Sequence, residues 1–201
     1  LTLLLPDETG FAAAVAALRS GEVVAYPTET VYGLAVDPFN PAALRKLFKV
    51  KGRPETNPIL LIVATPEGVA EVAAQVSEAA RKCIETFWPG PLSLVLPKAE
   101  SLPAEVTAGR DKVCVRCPAS NIARALCREF GGAITSTSAN RSGEQPAATA
   151  AEAMLPGVAL GLDGGRLQAS LPSTLYDPES GTVLRAGAVP EEEILTSLGR
   201  H

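Results

Sequence analysis

Histidine is almost missing from this chain: the only one among 201 residues is the last, His201. That removes a Ser-His-Asp arrangement, and no stretch reads as a nucleophile elbow. Zinc built on Cys114 and Cys117 would need two more ligands, with a single imidazole at the chain end to draw on. Those two cysteines flank Val115-Arg116 in a strand-like run, where an odd separation puts their thiols on opposite faces. Cys83 and Cys127 read as helix-core thiols, and reduced thiols suit the cytoplasm. Aromatics make up only 4%, so the core is expected to be Ala, Val and Leu. Few stacking rings and a net charge of -4 count against a protein that coats nucleic acid, although a local basic groove stays open. No apolar run reaches the length of a membrane span. Leu1 to Leu5 is apolar, but Pro6-Asp7-Glu8 ends it too early for a signal-peptide core. The chain does not start with Met, so its numbering is expected to begin inside a natural chain. Both familiar nucleotide loops, the Gly-x-x-x-x-Gly-Lys type and Gly-x-Gly-x-x-Gly after a strand, are missing too. A nucleotide here must be held another way.

What is present is an alternation of strand and helix signals. Strands are expected at 22–26, 59–63, 92–96, 113–116, 133–136, 158–162, 173–177 and 182–185. Helical faces appear at Phe11, Val15 and Leu18, and after Pro41 at Leu44, Leu47 and Phe48. A further helical pattern runs from Val69 through Val76 to Ile84 and Phe87, with others near 120–130, 148–154 and 190–198. The expectation is an α/β fold: one domain over 1–201, a large twisted mixed sheet flanked by helices, ligand cavity at the strand ends, and no second C-terminal domain.

Polar chemistry gathers where strands end. Glu22-Val23-Val24-Ala25-Tyr26 runs into Pro27 and a hydroxyl-rich turn, Thr28-Glu29-Thr30. Lys51-Gly52-Arg53-Pro54 places two cations on a constrained loop beyond a helix, suited to a phosphate or carboxylate. Thr135-Ser136-Thr137-Ser138-Ala139-Asn140 offers small hydroxyls and free backbone N–H groups, which can nest an anion. Ser173-Thr174 adds a third hydroxyl pair, and Arg116 and Arg185 each close a strand.

Taken in order, these segments resemble the YrdC-like family of threonylcarbamoyl-AMP synthases. The resemblance rests on Tyr26–Leu34, Lys51-Gly52-Arg53-Pro54 with Asn57-Pro58, and Trp88-Pro89-Gly90-Pro91. It continues through Val106-Thr107-Ala108-Gly109, Val115-Arg116, Ser136–Asn140, Pro172-Ser173-Thr174 and Leu184-Arg185. It implies a cytoplasmic nucleotidyltransferase that condenses L-threonine, bicarbonate and ATP, with Mg2+, into threonylcarbamoyl-adenylate and pyrophosphate. The adenylate would pass to the tRNA threonylcarbamoyl-transfer machinery that modifies adenosine-37. By the same resemblance Thr30, Arg116, Ser136 and Ser173 meet threonine. Lys51 and Arg53 are catalytic and face the triphosphate, and Asn57, Ser138, Asn140 and Arg185 fall on the nucleotide side. Where many relatives carry a histidine, this chain has Ile62. The alternatives are a double-stranded RNA-binding module, or weak RNA binding beside the synthase role, and a paralogous carbamoyl-adenylate-forming protein such as the similar domain of hydrogenase-maturation proteins.

Overall fold

The computed structural model describes residues 2–52, 56–168 and 170–199. Chain order gives β1 (Leu3–Leu4), α1 (Glu8–Arg19), β2 (Val23–Pro27), β3 (Tyr32–Ala35), α2 (Pro41–Lys51) and β4 (Leu60–Ile62). After a 3-10 helix at Pro66–Glu71 come α3 (Glu78–Phe87), β5 (Leu92–Pro97), α4 (Ala104–Thr107), β6 (Lys112–Arg116) and α5 (Asn121–Phe130). The rest is β7 (Ile134–Thr135), β8 (Thr137–Ser138), α6 (Ala150–Ala153), β9 (Val158–Leu162), β10 (Thr174–Asp177), β11 (Thr182–Arg185) and α7 (Glu191–Ser197).

This is the expected α/β architecture, with its mixed sheet divided into two ladders. One runs β1-β9-β2-β3-β8 and the other β11-β10-β5-β6-β4-β7. Residues 134–138 join them. Instead of one strand at 133–136, the chain pairs β7 with β4 in one ladder and β8 with β3 in the other. At the crossing, Thr135 N–H donates to Val36 O (3.1 Å) and Ser136 N–H to Leu60 O (2.7 Å). Thr135 Oγ1 accepts from Val36 N–H at 2.9 Å in a fully buried setting. A Thr135→Val variant keeps the shape and removes that acceptor, so it is expected to lose about 1–3 kcal/mol. Urea unfolding should show a lower midpoint at unchanged slope.

Strands β2 and β3 are buried on both faces. In β2, Val23 and Ala25 pack into one apolar cluster with Leu44, Leu47 and Phe48 of α2, while Val24 and Tyr26 face Ala14, Leu18, Leu126 and Cys127 of α1 and α5. Ala, Val and Leu dominate as expected, but the core also holds Tyr26, Tyr32 and Tyr176 fully buried.

Three elements depart from the periodicity. The helical pattern at 69–87 splits into the 3-10 helix and α3, because Val72 and Ala74 turn their backbone groups to the β5 end. Ala99 N–H donates to Val72 O, and Ala74 N–H to Pro97 O, both at 2.9 Å. Ser77 then caps a fresh helix by accepting from Ala80 N–H. Second, β2 is followed at once by β3, so Thr28–Val31 is a hairpin turn closed by Thr28 N–H to Val31 O at 3.2 Å. Third, α4 and β1 are short elements without a periodic signal.

Candidate functional site

Helix α2 delivers Lys51. Asn40 caps its start through Ala42 and Ala43 N–H, Pro41 opens it, and Gly52 ends it at φ 59, the left-handed region open to glycine. Lys51 therefore sits in the last turn, only 4% exposed. Its ammonium donates to Ser138 O, to Ser138 Oγ (3.4 Å) and to Asn140 Oδ1 (3.3 Å). Asn140 Nδ2 in turn donates to Arg141 O and Glu144 O, both at 2.8 Å. Ser142 N–H donates to Lys51 O, so the start of the following loop is tied to α2 as well. Lys51, Ser138 and Asn140, expected on the nucleotide side, form one bonded group.

Arg116, at the end of β6, forms the second group. Its Nη1 donates to Glu29 Oε1 at 3.0 Å, and Glu29 Oε2 accepts from Ser120 N–H at 3.3 Å. Ser120 also caps α5 and donates its hydroxyl proton to Pro27 O, which fastens the hairpin turn to the helix. Within the turn Thr28 Oγ1 accepts from the N–H groups of Thr30 and Val31 and lies 3.0 Å from Thr30 Oγ1. Thr30 is buried, and its carbonyl accepts from Ser170 Oγ at 3.3 Å. The buried Tyr26 phenol lies against Ser136 and within the fields of Arg116 and Glu29; burial pushes its pKa up.

The third group joins Ser173 and Arg185. Ser173 Oγ is 2.9 Å from Ser93 Oγ, and Arg185 Nη2 donates to Ser173 O (2.8 Å) and Ser173 Oγ (3.1 Å). The backbone is tight here: a Cβ on Gly187 would fall 2.3 Å from Pro172 O and 2.5 Å from Thr174 N. Glycine at 187 is what lets the chain after β11 run against Ser173.

Cys114 lies on β6 two residues before Arg116. Burial pushes its thiol up to about 12, against the opposing pull of Arg185 and Arg116 and a hydrogen bond from Ser93. Burial likewise raises Cys83 and Cys117 to about 11. All four cysteines are free, with Cys117 Sγ donating to Ala64 O and Cys127 Sγ to Ile62 O. A thiol with a pKa near 11 or above holds almost no thiolate at pH 8. Iodoacetamide at that pH is expected to leave all four unlabelled in the folded chain and to label them in urea, as intact-mass spectrometry would read.

One expected residue stands apart. Asn57 is exposed in the bend before β4, outside these bonded groups. Arg53 lies outside the described residues. Ile62 sits beside Arg116 in register, yet it is fully buried among Tyr26, Cys127 and Ile134, as a core residue. Sequence reading passed over Ser93, Ser120 and Tyr26 as site residues. Ser93 carried a signal: a lone hydroxyl in the apolar run Leu92–Leu96, 0% exposed in the fold. A cavity of about 530 Å3, lined by Gln75, Ser77, Lys82, Val95, Pro97 and Leu198, lies towards the opposite end of β5 and contains none of the expected residues.

Known proteins share this fold and much of this sequence. Residues 16–187 match the family described as Telomere recombination, that of Sua5, YciO and YrdC. A threonylcarbamoyl-AMP synthase of Thiobacillus denitrificans is 43% identical over 171 residues, which are 84% of this chain and 91% of that relative. One from Pyrococcus abyssi is 38% identical over 187 residues, 90% of this chain but 55% of the relative. The crystal structure of P. abyssi Sua5 complexed with L-threonine superposes with a TM-score of 0.91 at 35% identity, covering 99% of this chain and 60% of that one. The chain thus spans little more than half of the P. abyssi protein. Escherichia coli YciO, 22% identical with a TM-score of 0.83, shares the fold. A match across residues 16–187, with identities of 43% and 38% to two synthases, means that the chain belongs to the Sua5–YciO–YrdC family.

Proposed function

We propose that this chain is an L-threonylcarbamoyladenylate synthase, joining L-threonine, bicarbonate and ATP into threonylcarbamoyl-AMP with release of pyrophosphate. Family membership and the names of its relatives support the reading. The observation that carries it is the placing of a buried arginine, Arg116, beside the Thr28–Val31 turn, with a separate buried cation, Lys51, braced against Ser138 and Asn140. One pole suits an amino-acid carboxylate and the other a polyphosphate.

Bicarbonate takes up a proton and dehydrates to carbon dioxide; threonine's free amine adds to its carbon and releases a proton, leaving a carbamate. A carbamate oxygen then attacks the α-phosphorus of ATP, the bond to the β-phosphate breaks, and pyrophosphate departs. Both reacting groups are anions, and two like charges about 4 Å apart repel by roughly 4 kcal/mol at an effective dielectric near 20. Lys51, Arg53 and Arg185 offset that repulsion and steady the leaving group. Thr30 and Ser136 orient threonine, Arg116 holds its carboxylate, and Ser173 closes that side. Ser138, Asn140 and Asn57 line the nucleotide side. Fixing both substrates in contact supplies up to about 7–11 kcal/mol more.

The described residues contain no group of three or more carboxylate, thiol or imidazole side chains suited to a metal. Glu29, the carboxylate nearest Arg116, is engaged by Arg116 and Ser120. These side chains do not fit a protein-held magnesium; magnesium would arrive on the phosphates of ATP as part of the substrate. The product would be consumed by the tRNA threonylcarbamoyl-transfer machinery. Among the described residues, no helix is long and apolar enough to cross a membrane.

Incubation of the protein with ATP, threonine and bicarbonate should yield threonylcarbamoyl-adenylate by mass spectrometry. Absence of that mass under conditions where the protein is folded would refute the assignment.

A further inference from the structure

The Arg116–Glu29 pair is bonded on one side only. Arg116 is 3% exposed, and a single N–H, Nη1, reaches Glu29 Oε1 at 3.0 Å. Its Nε is buried and has no acceptor among the described residues. A buried guanidinium N–H without a partner is rare enough to need a reason, and a ligand acceptor is the simplest. Glu29 is 22% exposed, and the contacts to Arg116 and Ser120 use about half of what a carboxylate can accept. Each member of the pair therefore keeps one unfilled side.

We infer that Arg116 and Glu29 are the two poles of a clamp for a free α-amino acid: the ligand carboxylate accepts from the Nε edge of Arg116, and the ligand ammonium donates to Glu29. This rests on the threonine reading above and adds to it the group that recognises the amine. The dimensions agree, because an α-amino acid carries its ammonium and carboxylate on the same carbon, so its two charges lie close together, as the pair's own do at 3.0 Å. Charge decides between this and the view of Glu29 as a stand-in that the substrate evicts. The empty pair is neutral, and a zwitterion leaves it neutral with every charge opposed. Eviction would instead leave Glu29 beside a bound carboxylate with no cation of its own, a costly state in a partly buried site. A hydroxy acid, carrying only the negative end, adds an unmatched charge and is rejected. The clamp selects for the amine that the carbamate chemistry requires.

The test compares L-threonine with its 2-hydroxy analogue, 2,3-dihydroxybutanoate of matching stereochemistry. Titration calorimetry would be run on the full chain as wild type, Glu29→Gln and Glu29→Asp. Wild type is expected to favour threonine by tenfold or more. In Glu29→Gln threonine affinity should fall at least tenfold while the hydroxy acid binds equally well or better; Glu29→Asp should keep part of the preference. Equal weakening of both ligands in Glu29→Gln would mean that Glu29 merely orients Arg116, and tighter threonine binding would mean a stand-in; either overturns the clamp. Should Glu29→Gln fail to fold, a wild type without preference, or an Asp variant with the full preference, overturns it as well. Adenylate synthesis by the wild type is scored separately. Product made while Glu29→Gln keeps the full wild-type preference sinks the clamp alone; a working clamp in a protein that makes no product sinks the synthase reading alone.

Discussion

Methionine in place of Lys51 is expected to lower pyrophosphate release by about 10²–10³-fold, the scale seen when one preorganised charge stabiliser is removed. It should also cost about 1.5–3 kcal/mol of stability, the worth of a hydrogen bond to a charged group. Both effects come from one ammonium. Lys51 is almost wholly buried at the end of α2, and it binds the Ser138 carbonyl, the Ser138 hydroxyl and Asn140 Oδ1. Methionine has a similar unbranched length and good helix propensity, so α2 itself should persist. What disappears is the brace on Ser138 and Asn140 and, through Asn140, on the carbonyls of Arg141 and Glu144. Steady-state kinetics in ATP, paired with urea unfolding, would check this. Lost stability at full activity would reduce Lys51 to a loop brace.

The second large effect falls on the side proposed for the amino acid. Arg116→Lys is expected to raise the KM for threonine by about 10²-fold and to leave the KM for ATP within a few-fold. A lysine keeps the positive charge but has no planar fork, and it cannot offer the Nε edge while still bonding Glu29. The site is buried, so water would not make good the missing donor. Arg116→Ala should do more, lowering stability by roughly 1–3 kcal/mol as Glu29 loses its counter-charge. Varying threonine at saturating ATP, and ATP at saturating threonine, separates the two constants. An equal rise in both would place Arg116 outside the amino-acid side.

Much of this was legible from residue patterns, for physical reasons that differ by element. Asn40, Pro41 and Gly52 punctuate α2 so strongly that its ends are written in the chain, and Lys51 comes with them. Helix α5 follows its Ser120 cap and its Gly131 stop in the same way. Strands β2, β5, β6 and β9 are short apolar runs with few competing readings. Misreadings came where distant backbone overrode local preference. The helical spacing at 69–87 could not reveal that Val72 and Ala74 would bond to Pro97 and Ala99. Nor could the run at 133–136 show that two ladders divide it, because nothing local records which strand waits on either side. For the site, the ordered motifs marked Lys51, Ser138 and Asn140, and the fold joins them. The roles of Ser93 and Ser120 depended on partners 80 and 91 residues away, Ser173 and Glu29, and were invisible until the chain was folded.

Those separations have a kinetic consequence. Lys51 to Ser138 and Arg116 to Glu29 each bridge 87 residues, and Thr30 to Ser170 bridges 140. Closing such long loops is slow, since their entropy is spent before any contact repays it. No half of the chain holds two complete groups of these contacts, so a nascent or truncated fragment is expected to be inert rather than weakly active. Ligand affinity should therefore arise in the last stage of refolding, together with the final tertiary order.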